Sequence, residues 1–147
     1  MEKRVEENTM HAAMYAANHT APVSATRLWV GRIIGALAIL FLLFDAVIKV
    51  LQLAPAVESF AQLGYPVGLT LGIGVLELAC LAVYALPRTA PLGALLLTGY
   101  LGGAVATHVR AGSPLFSVVF PLIIGALLWG GLYLRDRRLR AFLSPRD

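Results

Sequence analysis

The chain has one cysteine, Cys80, which excludes an intramolecular disulfide and any two-thiol redox pair. Histidine is nearly as scarce: of His11, His19 and His108 only the last falls in an apolar stretch, so a bis-histidine haem is excluded. The usual metal-ligand spacings are missing, as are a glycine-rich phosphate loop ending in lysine and a nucleophile with a nearby base. Charge is sparse as well, at 14% of 147 residues against 59% hydrophobic, with a mean hydropathy of +0.77. A chain this apolar reads as an integral membrane protein with no large module outside the bilayer.

Four apolar stretches, residues 29–53, 67–86, 92–109 and 115–134, are each long enough to cross a hydrocarbon core of roughly 30 Å. The expected fold is all-α: a polytopic membrane protein built as an antiparallel bundle of four transmembrane helices. Arg27 and Arg32 before the first stretch and LAPA after it imitate a signal peptide, but the run is too long and carries charges. Pro55 suits the first turn of a short interfacial helix between the first and second spans, with Val57, Phe60 and Ala61 on one face. Glu58, Ser59 and Gln62 are expected to point away, and Gly64, Tyr65 and Pro66 to end the segment. PRTAP and RAGSP are short enough to make tight hairpins, and Pro121 should loosen a turn of the fourth helix. In GYLGGAVA, Gly99, Gly102, Gly103 and Ala106 form a small face expected to pack on another helix. Residues 1–28 are expected to be a mobile cytoplasmic tail, 29–143 the membrane domain and 144–147 a C-terminal tail.

Basic residues set the orientation. Lys3, Arg4, Arg27, Arg32, Arg88, Arg135, Arg137, Arg138, Arg140 and Arg146 fall on one side of a four-span topology, leaving Lys49 and Arg110 on the other. Both termini are therefore expected in the cytoplasm. The net charge of +4 has no aromatic-rich basic groove to serve nucleic acid, so membrane lipid is the expected partner.

The first span contains FLLFDAVIKVL, in which Asp45 and Lys49 interrupt an apolar helix. A charge at the bilayer centre costs roughly 2.5 to 3.5 kcal/mol, so both must be paired, near an interface or useful. Acid four residues before base is the favourable order for a helical ion pair, and Lys49 can snorkel to the outer headgroups. Glu77 lies near the middle of the second span with no basic residue within four positions, and is expected to be protonated or bonded to another helix. Gly74, Cys80 and Tyr84 share its face. Along the third span come Thr98, Tyr100, Thr107, His108 and, at the outer end, Arg110. Asp45, Lys49, Glu77, Tyr100, His108 and Arg110 are thus the candidate ligand-binding or proton-handling residues, arranged as a polar pocket opening outward. The alternatives stay open: a depth anchor for Asp45 and Lys49, a structural acid at Glu77, an interfacial imidazole at His108.

FDAVIKV, LGYP, the run GVLELACLAVYALPRTAPLGALLLTGYLGGAVATHVR and WGGLYLRDRRLR together resemble the DoxX-like family of small bacterial four-helix membrane proteins, over about residues 29–143. The resemblance implies the fold and a bacterial cytoplasmic (inner) membrane location. The family takes its name from a subunit associated with a terminal quinol oxidase and a thiosulfate:quinone oxidoreductase, so association with a respiratory or oxidoreductase system is implied. The leading expectation is a non-catalytic subunit or a small protein binding a quinone-like amphiphile, with no resident cofactor. Its partners would be lipids, an oxidoreductase or other membrane-protein subunit, or a second copy. The alternatives are a small proton-coupled transporter and a membrane assembly or chaperone protein.

Overall fold

A computed structural model describes residues 3, 4, 6, 8–11, 25–136, 139 and 140. Its main elements are α1 (Ala25–Val50), α2 (Ala54–Gln62), α3 (Leu69–Ala85), α4 (Ala90–Arg110) and α5 (Leu115–Arg135), with no strand among the described residues. Residues 3, 4, 6 and 8–11 of the expected tail have helical backbone, and α1 already begins at Ala25, four residues before the expected boundary. The rest of that tail, and the expected C-terminal tail at 144–147, lie outside the described residues.

α1, α4 and α5 are long and apolar enough to cross a membrane, whereas α3, at 17 residues, is shorter than the stretch read from the sequence. Its trimming has a local cause: Pro66 and Gly68 precede it and Pro87 follows it, leaving few helix-compatible positions beyond Leu69 and Ala85. α1 packs on α5 and α3, and α4 packs on the same two, so the contacts close into a ring. The ring's interior is lined by one stripe per helix. On α1 the stripe is Gly31, Gly35, Ala38, Leu42 and Ala46, with helical spacing throughout. Facing it are Gly74, Glu77, Cys80 and Tyr84 of α3, Leu97 and Leu101 of α4, and Ile124, Leu128 and Leu132 of α5. The outward faces are apolar too, including exposed Leu37, Leu40, Phe44, Leu95 and Leu122. So much exposed apolar surface suits lipid rather than water, and the protein is a membrane protein.

The small residues that allow close crossings are not those of GYLGGAVA. A Cβ added at Gly99, Gly102 or Gly103 would meet nothing within 4 Å. Gly102, Gly103 and Ala106 are exposed, so no described helix of this chain takes up the expected close packing on this face. Contact falls instead at Gly131, where an added Cβ would stand 2.9 Å from the Gly35 nitrogen, and at Gly93, where it would overlap the Tyr84 backbone. Gly93 lies just past the connection of residues 86–89, whose Thr89 hydroxyl donates to the Val83 carbonyl at 2.7 Å.

The other end of the molecule is built from a repeated turn. After α1, Leu53 N–H donates to Ile48 O at 3.0 Å and Gln52 N–H to Lys49 O at 3.1 Å, with Gln52 at φ 51°. The same pair of bonds closes α2 around Gly64 (φ 78°) and α4 around Gly112 (φ 64°). Each is a left-handed helix cap, natural for glycine and strained for Gln52. Within α2, Ala56 and Phe60 are buried while Val57 is half-buried and Ala61 exposed. The buried face is therefore one residue out of step with the expected one, because Ala56 and Phe60 are the pair four apart.

Candidate functional site

Lys49 stands at the centre of the site. An α-helical side chain leans toward its own N-terminus, so Lys49 turns back toward Asp45 rather than outward. Its Nζ donates to Asp45 Oδ2 at 2.5 Å, to Glu77 Oε2 at 2.9 Å and to the Tyr100 hydroxyl oxygen at 2.8 Å. An ammonium has three hydrogens, so its donor capacity is used up. The expected snorkelling is corrected: only 12% of the Lys49 side chain is exposed, because two acceptors from other helices hold it inside.

Gly74 makes this reach possible. An added Cβ there would stand 2.8 Å from Lys49 Cβ and 3.0 Å from the Val50 nitrogen, so α1 lies directly on α3 at this level. From that crossing the lysine runs about one turn along α3 to Glu77, which is wholly buried. The Tyr100 hydroxyl donates to the same Glu77 Oε2 at 2.7 Å. Glu77 Oε1 is buried without a hydrogen-bond partner, and Asp45 Oδ1 takes no bond from any described residue. With all three groups ionised, two carboxylates share one ammonium. The cluster therefore has free acceptors, no free donor and one formal negative charge in excess.

Four of the six candidate residues, Asp45, Lys49, Glu77 and Tyr100, thus meet in one cluster contributed by α1, α3 and α4. His108 lines the adjoining cavity, but its Nδ1 pairs with Ser113 Oγ at 3.0 Å rather than with the acids. Arg110 stands apart: it donates to the Leu63 carbonyl at 3.0 Å and its guanidinium lies 5.6 Å from the Tyr65 ring centre. It holds the segment after α2 against the end of α4. Thr98 also points elsewhere, accepting a bond from Trp129 Nε1 at 2.9 Å.

Beside the cluster is a cavity of about 660 Å³. Asp45, Lys49 and Tyr100 form part of its wall, Phe41, Phe60, Phe116 and Phe120 supply apolar surface, and Gly99 and Gly103 leave room on the α4 side. Ser59, Tyr65, Thr107 and Ser117 add hydroxyls, and Tyr65 and Thr107 share a hydrogen bond at 2.8 Å. Pro121 lies in the wall too, and having no N–H it leaves the Ser117 carbonyl without its helical donor. Ser59, Tyr65 and Ser117 were not among the candidates, whereas Thr107 reads with the polar residues of the third span. Tyr65 reads from sequence as an interfacial aromatic and Ser59 as a solvent-facing residue of α2. The packing of α2 on α1 and α3, with Leu63 and Tyr65 bonded to α4, brings Ser59 and Tyr65 to the cavity.

These features define a helical membrane protein with a buried ion cluster beside an amphipathic cavity. Residues 33–131 match the DoxX-like family, and the chain belongs to that family. Neither the curated proteins nor the solved structures contain a match to it.

Proposed function

We propose that the protein spans the bacterial inner membrane four times and binds an amphiphile of quinone-like size in the cavity between α1, α4 and α5. In this topology α3, about 26 Å long at 1.5 Å per residue, crosses at the short end of what a bilayer accepts. Both termini then face the cytoplasm, with α2 on the outer surface; Arg137, Arg138 and Arg146, which contribute to that count, lie outside the described residues. The observation that carries the reading is the cavity itself, about 660 Å³ with an ionic corner and phenylalanine walls, within the range of small-molecule sites. Its hydrogen bonding favours a head that donates at the ionic corner, as a quinol hydroxyl does, because that corner has only acceptors free. Carbonyl oxygens are better served by Ser59, Ser117 and the Tyr65–Thr107 pair toward α2. In this reading the protein acts as a subunit that holds the amphiphile for an oxidoreductase partner or for a second copy.

Calorimetric titration of the purified protein with a short-tailed quinol and the matching quinone tests this. Wild type is expected to bind the quinol more tightly, and Asp45→Asn to lose that preference. Absence of binding by either probe would contradict the proposal. Proton-coupled transport is the second reading, favoured by the excess carboxylate, which can exchange a proton for a lipophilic cation. Flux of such a cation into proteoliposomes under a pH gradient, abolished in Glu77→Gln, would support it over the binding reading.

A further inference from the structure

At the end of α1 far from Lys49, a second hollow of about 980 Å³ opens between α1, the 86–89 connection and α5. Three guanidiniums from three elements line it: Arg32, Arg88 and Arg135. The two ion pairs seen among the described residues both belong to Lys49, so none of these arginines meets a described acid. Arg32 lies 5.7 Å from the Trp29 ring centre and Arg135 5.1 Å from that of Tyr84, which satisfies their faces and leaves their N–H groups available. Arg135 is half-buried, and an anion bound beside a partly desolvated cation offsets part of the cost of its burial. The one acid in the wall, Asp136, accepts from the Leu139 N–H at 3.3 Å, so the lining carries three positive charges against one negative. The remaining wall is apolar, with Leu28, Leu132 and Leu139.

We propose that this hollow is a binding site for the phosphate headgroup of an anionic membrane lipid, held by Arg32, Arg88 and Arg135. Guanidinium forks match phosphate oxygens, and basic hollows at the ends of membrane helices are suited to lipid headgroups. The apolar wall distinguishes a lipid from free phosphate, since Leu28, Pro87 and Leu139 give acyl chains a surface that a soluble anion would not use. The site is separate from the amphiphile cavity and does not depend on it.

The test uses the full chain in neutral detergent, with retained phosphatidylglycerol and phosphatidylcholine read by native mass spectrometry. Wild type should favour phosphatidylglycerol, and Arg32→Gln/Arg88→Gln should weaken that binding roughly 30-fold. Both arginines are exposed, so the double variant keeps its fold, and Arg110→Gln at the other end should leave the preference intact. Equal retention of the two lipids by wild type, or an unchanged preference in the double variant, overturns the proposal. Displacement of phosphatidylglycerol by millimolar inorganic phosphate would assign the arginines to a soluble anion and overturn the lipid source.

Discussion

Lys49 pairs with two carboxylates from different helices, and removing it leaves Glu77 buried without that cation. Lys49→Met is therefore expected to destabilise the protein by about 3–5 kcal/mol, the range for breaking a buried ion pair from one side. Adding Glu77→Gln to that variant should restore much of the loss, because a neutral amide needs no counter-charge. Denaturant unfolding in detergent checks both, and a double variant no more stable than Lys49→Met would refute the pairing. Tyr100→Phe removes the hydroxyl that bonds both Lys49 and Glu77, and should cost about 1–3 kcal/mol in the same assay. This much of the site was legible in sequence: the i,i+4 spacing pairs Asp45 with Lys49, and a mid-span Glu77 without a neighbour calls for either a proton or a bond to another helix. That the partner is Lys49 was not legible, because it depends on how closely Gly74 lets α1 approach α3.

Between elements, the glycines divide into those that set a crossing and those that do not. Gly93→Ala would drive a methyl group into the Tyr84 backbone and is expected to lower the unfolding midpoint, whereas Gly102→Ala meets nothing and should be neutral or stabilising by about 0.5–1 kcal/mol. Circular-dichroism melts of the two variants separate them. GYLGGAVA suggested the opposite assignment for a physical reason. Lipid-facing and core-facing sides of a membrane helix are both apolar, so a small-residue spacing shows that a close approach is possible but not which side uses it. Polar residues lack that ambiguity, and the inward face of α3 was readable because Glu77 marks it. Gln52 supplies another element-level test. At φ 51° it occupies a cap that suits glycine, so Gln52→Gly should raise stability by about 1 kcal/mol, and an unchanged midpoint would show the cap to be unstrained.

For the whole molecule, the amphipathic cavity and the basic hollow lie toward opposite ends of the helices, with Arg110 at the C-terminal end of α4 and Arg32, Arg88 and Arg135 around the hollow. If the proposed topology holds, the basic hollow faces the cytoplasm, and reporter fusions at residues 113 and 147 should report opposite sides of the membrane. The all-helical class and the membrane location followed from composition alone, since apolar runs of this length have few other uses. The cavity could not be read that way, because it needs α2 packed back on α1 and α3, Tyr65 bonded to Thr107 of α4 and two glycines left unfilled. Gly103 is the position at which to probe it: an added Cβ there meets nothing within 4 Å, and Gly103→Leu is expected to fill the cavity without disturbing a crossing. Native mass spectrometry of wild type and Gly103→Leu, both extracted from their own membranes in mild detergent, is the most direct test of the central claim. One amphiphile per chain in the wild type, lost from Gly103→Leu, is the predicted result. A wild-type protein that carries none, or a variant that retains as much, would contradict it.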